Sequence, residues 1–450
     1  MKKSAKKHGV QKLVVGAAAA LATMCHADNP IVQTCFTADP APMVYNDTVY
    51  LYTSHDEDDA FGFKMFNWKC FTTTDMVNWT DRGTIASLAT FSWAAGNNAW
   101  APQCIYRNGK FYLYCPLAQR GGPMVIGVAV STNAFGPFSD PIGKPLIYNH
   151  NGDDIDPTVF IDDDGQAYLY WGHGGLYYVK LNEDMISYSG NIVRVESKPR
   201  NYQEGPWLDK RNGLYYLSYA STCCPEGIGY CMSTNPTGPW TYKGMIMNPT
   251  NASSGNHPGL IDYKGNSYVF GFNYALNFAL TPTHRERRSV CVAKFECNPD
   301  GTIPTVPWWT EEGVSQIGAL NPYVQTEAAT ICWETCVRTK SRDGDKPGVY
   351  VSATTNGAYI KIKGVDFGGK GAAKFLASVA GTTDDGAIEL RLGSLSGEVI
   401  GTLNVKSTGA LDKWETQSCS VSGAKGVHDL YLKFTGGGGP LMNFDWWKFE

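Results

Sequence analysis

Charged residues make up only 18% of this 450-residue chain, and they balance to a net charge of −4. A chain with no basic surplus is poorly suited to a polyanion, so nucleic acid is not an expected partner. No apolar stretch, the run near the N-terminus included, is long enough to cross ~30 Å of hydrocarbon, so no membrane partner is expected. No glycine fingerprint stands between a strand and a helix, which leaves no organic cofactor of the nucleotide type implied. Strong helix formers are sparse as well. What replaces them is 25 Tyr, 13 Trp, 19 Phe and 49 Gly, a composition suited to short strands and tight turns.

The N-terminus has five lysines, an apolar run Leu13–Met24 and the small-residue pattern Cys25-His26-Ala27. That order predicts a secretory signal peptide over residues 1–27 and a secreted, extracellular protein. Removing Cys25 with it leaves twelve of the thirteen cysteines, an even number suited to disulfides outside the cell. Cys332 and Cys336 resemble half of a metal site, but no second pair follows at suitable spacing. Sequons begin at Asn46, Asn78 and Asn251.

A repeat runs through the first 300 residues. A polar or glycine turn enters an aromatic strand five times: YNDTVYLY, YRNGKFYLY, DDDGQAYLY, KRNGLYYLS and DYKGNSYVF, anchored on Tyr50, Tyr112, Tyr168, Tyr216 and Tyr268. Secondary turns such as TTTDMVNW, STNAFGPF and STNPTGPW follow, so one repeat holds about four strands. Five such units predict a five-bladed β-propeller, a ring that protects its own sheet edges. Ten or eleven residues before each tyrosine stands a proline: Pro40, Pro102, Pro157, Pro206 and Pro258. Proline suits the start of a strand, where no ladder N–H is needed. These prolines therefore mark the innermost strands, whose ends converge on the axis.

The frame repeats, but the polar residue in front of each proline changes. Asp39, Trp100, Asp156, Glu204 and His257 occupy the five positions. A purely structural motif would repeat one residue type, so this variation points to separate roles in one shared site. Two carboxyl groups across a pocket can cleave a glycosidic bond, one protonated to donate to the leaving oxygen and one ionised to activate water or attack the sugar. Glu204, beside Gly-Pro-Trp, reads as the general acid with its pKa raised by an apolar setting. Asp39 reads as the general base and Asp156 as the group that tunes and orients the acid. Trp100 offers a face to a sugar ring. The DDDG turn at Asp162–Asp164 reads as a solvated hairpin tip rather than a calcium loop.

These motifs, with ADP near the start, DIDPTVFIDDDGQAYLYWG, then EGPW and NHPG, resemble glycoside hydrolase family 43 over about residues 29–315. The resemblance implies an inverting mechanism with Asp39 as base, Asp156 as pKa modulator and Glu204 as acid. It implies that His257 faces an axial calcium or water, and that an arginine of HRERRSV, best matched by Arg288, contacts substrate. Family members act on α-L-arabinofuranosides, β-D-xylosides or arabinans, and the deciding residues lie on loops such as 54–68.

After PWWTEEGVSQIGAL the texture becomes Gly- and Thr-rich with alternating strands, predicting a β-sandwich of jelly-roll type over residues 319–450, with the propeller over 28–318. This half resembles a family 6 carbohydrate-binding module. The resemblance implies sugar binding by Tyr359, Trp414 and Asn443 and a structural calcium near Glu327 and Asp445. Ala329 stands where that family usually has an acid, and LDKW replaces its Gly-Trp-rich loop.

The expected protein is thus an all-β, secreted, monomeric, inverting glycosidase that releases α-L-arabinofuranose from arabinoxylan or a related plant cell-wall polysaccharide such as xylan or arabinan. A β-D-xylosidase, an exo-arabinanase and a non-catalytic carbohydrate-binding protein are the alternatives.

Overall fold

The computed structural model describes residues 28–149, 153–250, 256–342, 348–353 and 355–450. The predicted signal peptide and the sequon at Asn251 lie outside the described residues. Almost every element is a strand, and no helix among the described residues is long and apolar enough to cross a membrane.

Each of the five repeat units builds its own antiparallel sheet. The first strands are Phe36–Tyr45, Gln103–Arg107, Thr158–Ile161, Tyr202–Arg211 and Gly259–Tyr263. Each pairs with the strand that carries the repeat tyrosine, in matching register: Met43 with Tyr50, Ile105 with Tyr112, Phe160 with Tyr168, Asp209 with Tyr216, Ile261 with Tyr268. The first strand of each sheet packs against that of the next, and the fifth packs against the first. Four apolar clusters fill the spaces between sheets. The expected four strands per unit hold in the first four units, whereas the fifth has three, with a helix, Ala275–Leu280, in the connection before the third.

The repeat prolines take two forms. Pro102, Pro157 and Pro258 immediately precede their strands, as expected. Pro40 and Pro206 sit inside longer strands, each at a register shift, between Ala38 and Ala41 and between Glu204 and Trp207. A bulge tolerates a residue without a ladder N–H and re-aims the side chain before it. All five prolines line one small cavity of about 20 Å³, beneath Asp39, Asp156 and His257.

Strands of the second half run from Thr326 to Phe449 in two antiparallel sheets. An apolar core, centred on Phe375, Phe434, Phe444 and Trp447, lies between them. The halves are joined by more than a linker. Thr330–Ile331 pairs with Thr80 and Trp79 and extends the first sheet by one strand. The carboxylate of Asp28 meets the ammonium groups of Lys361 and Lys363.

The cysteines depart from expectation. Among the described residues one bridge forms, between the adjacent Cys223 and Cys224, and ten other cysteines form no disulfide. Cys70, Cys104, Cys115, Cys231 and Cys291 are buried on separate strands, where they pack as small apolar side chains. The sequon asparagine Asn78 is also buried, donating to Asp75 and to the Lys363 carbonyl, whereas Asn46 is exposed on a turn.

Candidate active site

Backbone geometry aims the carboxylates. Asp39 and Asp156 adopt left-handed φ values of 53° and 59°, a conformation that costs non-glycine residues energy and collects at functional sites. Gly205 follows Glu204 at φ 58°, and a Cβ there would meet the His257 ring at 2.7 Å. Only glycine allows the glutamate strand and the histidine strand to approach this closely.

The side chains then converge on one imidazole. His257 Nδ1 lies 3.5 Å from Asp39, while Nε2 lies 3.5 Å from Glu204 and 3.6 Å from Asp156. Asp39 accepts hydrogen bonds from Ser54 Oγ at 2.5 Å and from Arg288 Nη1 at 2.7 Å. Asp156 accepts one from the Gly205 amide at 3.2 Å. Asp39 and Asp156 are buried; Glu204 keeps 18% of its side chain exposed and so reaches farthest toward solvent of the three. Above them opens a cavity of about 320 Å³, also lined by Trp100, Phe63, Met65, Met124, Ile155, His173 and Arg288. Phe63 meets Trp100 edge-on at 6.4 Å. The cavity is mostly apolar, with its polar groups concentrated on the axial floor, the layout expected of a small sugar-ring site.

Electrostatics reverses one expectation. Burial is the largest influence on Asp156 and, reinforced by the charges of Glu204 and Asp39 against the opposing pull of His257, pushes its carboxyl up to about 8. Burial also raises Glu204, but the hydrogen bond and charge of His257 outweigh it and hold Glu204 below its ordinary value. His257 itself rises to about 10, since Asp156, Asp39 and Glu204 together overcome the burial that disfavours its cation. The apolar Gly-Pro-Trp flank was therefore the wrong guide to Glu204: the nearest charge decides. Burial thus favours the protonated form of the Asp156 carboxyl.

Several contributors escaped sequence reasoning. Asp56, buried, accepts Arg288 Nη2 at 3.0 Å, so Arg288 is clamped between Asp39 and Asp56. Ser54 and Asp56 lie two apart on the strand behind Asp39, on one face, and that period was a usable signal. His173 edges the cavity, within 2.8 Å of the Gln203 amide and 3.8 Å of Asp153. Nothing in its GHGG setting marked it. Of the acids flanking Asp156, Asp154 is structural, accepting from the Trp171 indole at 2.8 Å.

Calcium takes six to eight oxygens, and the donors at the axis are mixed: Asp156, Glu204 and His257 each offer one ligand atom within 4.8 Å of the others, and both His257 nitrogens face carboxylates. In the second half, Asp445 faces the Arg342 guanidinium, and Ala329 brings no carboxylate beside Glu327. At the DDDG turn the cation is Lys210, 2.7 Å from Asp162 and 2.8 Å from Asp163.

The three residues expected to bind sugar in the second half differ in exposure. Tyr359 is 2% exposed and packs with Trp333 and Tyr431, leaving no ring face for a ligand. Asn443 is buried and spends its amide on the Leu411 carbonyl at 2.7 Å. Trp414 is half-buried, edge-on to Tyr350 at 5.3 Å and capped by Arg342 at 5.2 Å.

Comparison with known proteins agrees with this geometry. Residues 27–303 match the model of glycosyl hydrolases family 43, and residues 327–450 match carbohydrate binding module family 6. An arabinoxylan arabinofuranohydrolase of Bacillus subtilis is 35% identical across 94% of this chain and 92% of its own. One from Paenibacillus polymyxa is 34% identical across 94% of this chain and 74% of its own. A xylosidase/arabinosidase of Bacteroides ovatus is 29% identical over 60% of this chain and 95% of its own. The crystal structure of a Bacillus subtilis arabinoxylan arabinofuranohydrolase with cellotetraose superposes with a TM-score of 0.84 at 33% identity, covering 94% of this chain and 97% of that one. This chain is therefore a glycosidase of glycosyl hydrolase family 43, with a family 6 carbohydrate binding module over residues 327–450.

Proposed function

We propose that this glycosidase is secreted, acts as a monomer, and releases α-L-arabinofuranose from arabinoxylan with inversion at the anomeric carbon. The observation that carries the reading is the meeting of Asp39, Asp156 and Glu204, from three different sheets, around His257 on the floor of one cavity. Asp39 and Glu204 lie against opposite nitrogens of that ring. Their separation is thereby capped at roughly 9 Å, compatible with the ~6.5–9.5 Å of enzymes that seat a water between base and sugar.

In this mechanism Asp39, oriented by Ser54 and Arg288, takes a proton from the attacking water. Glu204, nearest the opening, gives a proton to the departing oxygen. Asp156 holds a proton up to about pH 8 and passes it to Glu204, whose carboxylate lies within 4.8 Å, as the sugar binds. A bound sugar desolvates Glu204 further, which raises its pKa toward the donor state. Trp100 and Phe63 hold the ring while no bond is being broken.

The tangent of inner strands supports a closed five-bladed propeller over 28–318, and the two-sheet core supports a jelly-roll sandwich over 319–450. The lysine-led apolar segment before Asp28 supports export. The arabinose reading draws on the two arabinoxylan arabinofuranohydrolase relatives; the xylosidase/arabinosidase relative supports β-D-xylosidase as the second reading.

Release of 4-nitrophenol from the α-L-arabinofuranoside and the β-D-xylopyranoside separates the two. Faster xyloside turnover by a wide margin rejects the first. Glu204→Gln is expected to abolish hydrolysis while polysaccharide binding persists; retained hydrolysis rejects Glu204 as the acid.

A further inference from the structure

Among the described residues, Phe61 is the most exposed large apolar side chain, at 76%. It is not isolated. Phe63 and Phe66 on the same loop are exposed too. A lone exposed phenylalanine is unremarkable, but a cluster beside a binding cavity is a candidate contact surface. Phe63 is shared between this cluster and the cavity, where it meets Trp100.

The loop that carries Phe61 is held firmly. Glu57 N donates to the Lys64 carbonyl at 3.0 Å and Ala60 N to the Glu57 carbonyl at 2.8 Å. Lys64 pairs with Asp59 at 2.7 Å across the loop. Arg287 Nε donates to the Ala60 carbonyl at 3.0 Å, fastening the first sheet's loop to the segment that enters the last strand of the fifth. The guanidinium of Arg285 lies over the Phe61 ring, 4.2 Å from its centroid. One face of the ring is thereby covered by a cation, and its other parts meet solvent.

We propose that Phe61 and Arg285 form an outer subsite for a main-chain pyranose of the polysaccharide whose arabinose branch enters the cavity. Its occupant is a neutral sugar ring. The apolar C–H face of a pyranose suits the electron-rich face or edge of phenylalanine, and its hydroxyls suit the guanidinium N–H donors. Continuity through Phe63 places the platform beside the cavity mouth, where the sugar bearing the scissile bond must emerge. Because the loop is pinned at both ends, the platform is formed before ligand arrives and little ordering entropy opposes binding. The proposal rests on the arabinoxylan reading above, and it assigns the part of the polymer that the cavity does not contain.

The test compares wild type, Phe61→Ala, Phe61→Tyr and Arg285→Ala on soluble arabinoxylan and on 4-nitrophenyl α-L-arabinofuranoside. For Phe61→Ala, KM on the polymer is expected to rise about tenfold, equivalent to ~1.4 kcal/mol, with aryl arabinofuranoside kinetics within about twofold of wild type. Phe61→Tyr, which keeps the ring, restores the polymer KM, and Arg285→Ala weakens it in the same direction. An unchanged polymer KM in Phe61→Ala overturns the proposal, as does an equal loss on both substrates. Calorimetric titration with xylohexaose reads the platform without turnover, even if wild type proves inert on arabinosides. Wild type shows a binding event that Phe61→Ala lacks, and superimposable isotherms overturn the subsite.

Discussion

The guanidinium of Arg288 lies 2.7 Å from the carboxylate of Asp39, a residue 249 positions earlier in the chain. Its other edge is bound by Asp56, also buried. Removing the arginine strands two buried carboxylates, and breaking a buried pair in this way typically costs ~3–5 kcal/mol. Arg288→Ala is expected to lower the thermal midpoint measurably and to reduce kcat by more than its effect on KM, since Asp39 loses its orientation. Calorimetry and steady-state kinetics check both halves. A variant with wild-type kcat removes Arg288 from the positioning of the base.

The pH dependence follows from Asp156 and His257. Asp156 rises from 3.8 to about 8, so its proton remains in the cluster at neutral pH and leaves as the pH passes about 8. An alkaline limb near that pH is expected in the kcat profile. His257→Asn removes a cation that lowers both Asp156 and Glu204, and the limb should move to higher pH. A limb that stays in place uncouples His257 from the proton supply.

Stability moves with the same groups. Both folded-state values are raised, so their stabilising contribution is fully present at low pH and is lost on raising it. For Asp156 the loss spans 3.8 to about 8, and for His257 it spans 6.5 to about 10. Urea midpoints are therefore expected to decline between pH 7 and 10, and to decline less in His257→Asn. A flat profile contradicts the raised values.

How far the sequence foretold this site depends on what repeated. The proline frame recurred five times, so Asp39, Trp100, Asp156, Glu204 and His257 could be placed together from spacing alone. Arg288 came from the family resemblance, but its second partner Asp56 lies on a strand where the repeat offers no frame. His173 sits in a loop with no counterpart in the other units. Glu204's pKa went astray for a different reason: local neighbours suggested an apolar setting, while the deciding cation came from His257, 53 positions away in numbering. In the second half a single copy leaves no period to compare, and Tyr359 could not be told from a core aromatic.

That ambiguity gives Tyr359 and Trp414 opposite predictions. Tyr359 is enclosed by Trp333 and Tyr431, so Tyr359→Ala should destabilise the second half by ~3–5 kcal/mol, the usual cost of deleting a buried aromatic. Trp414→Ala should leave the fold nearly intact and weaken retention on xylan, because its ring is only half-buried. Affinity electrophoresis together with thermal melts separates the effects. Normal stability of Tyr359→Ala, or unchanged retention of Trp414→Ala, rejects the corresponding assignment.

The junction between the halves makes a last prediction. Thr80 and Thr330 hydroxyls meet at 2.8 Å within the shared sheet, and Asn78 exchanges hydrogen bonds with the backbone of Lys363 at 2.8 and 2.9 Å. Thr339 donates to Asp81 at 2.7 Å, and Asp28 is encircled by Lys361, Lys363 and the Cys332 thiol. Lys361 is itself buried, with its charge resolved by Asp28 and Asp429. Halves tied by a shared strand and buried charge should melt as one unit, where a flexible linker would give two transitions. Scanning calorimetry is expected to show a single endotherm for wild type. Asp28→Ala leaves the buried Lys361 cation with one partner fewer, and should split or broaden that endotherm. Two resolved transitions in wild type would mean that the junction transmits little stability, and that the catalytic half stands without the module.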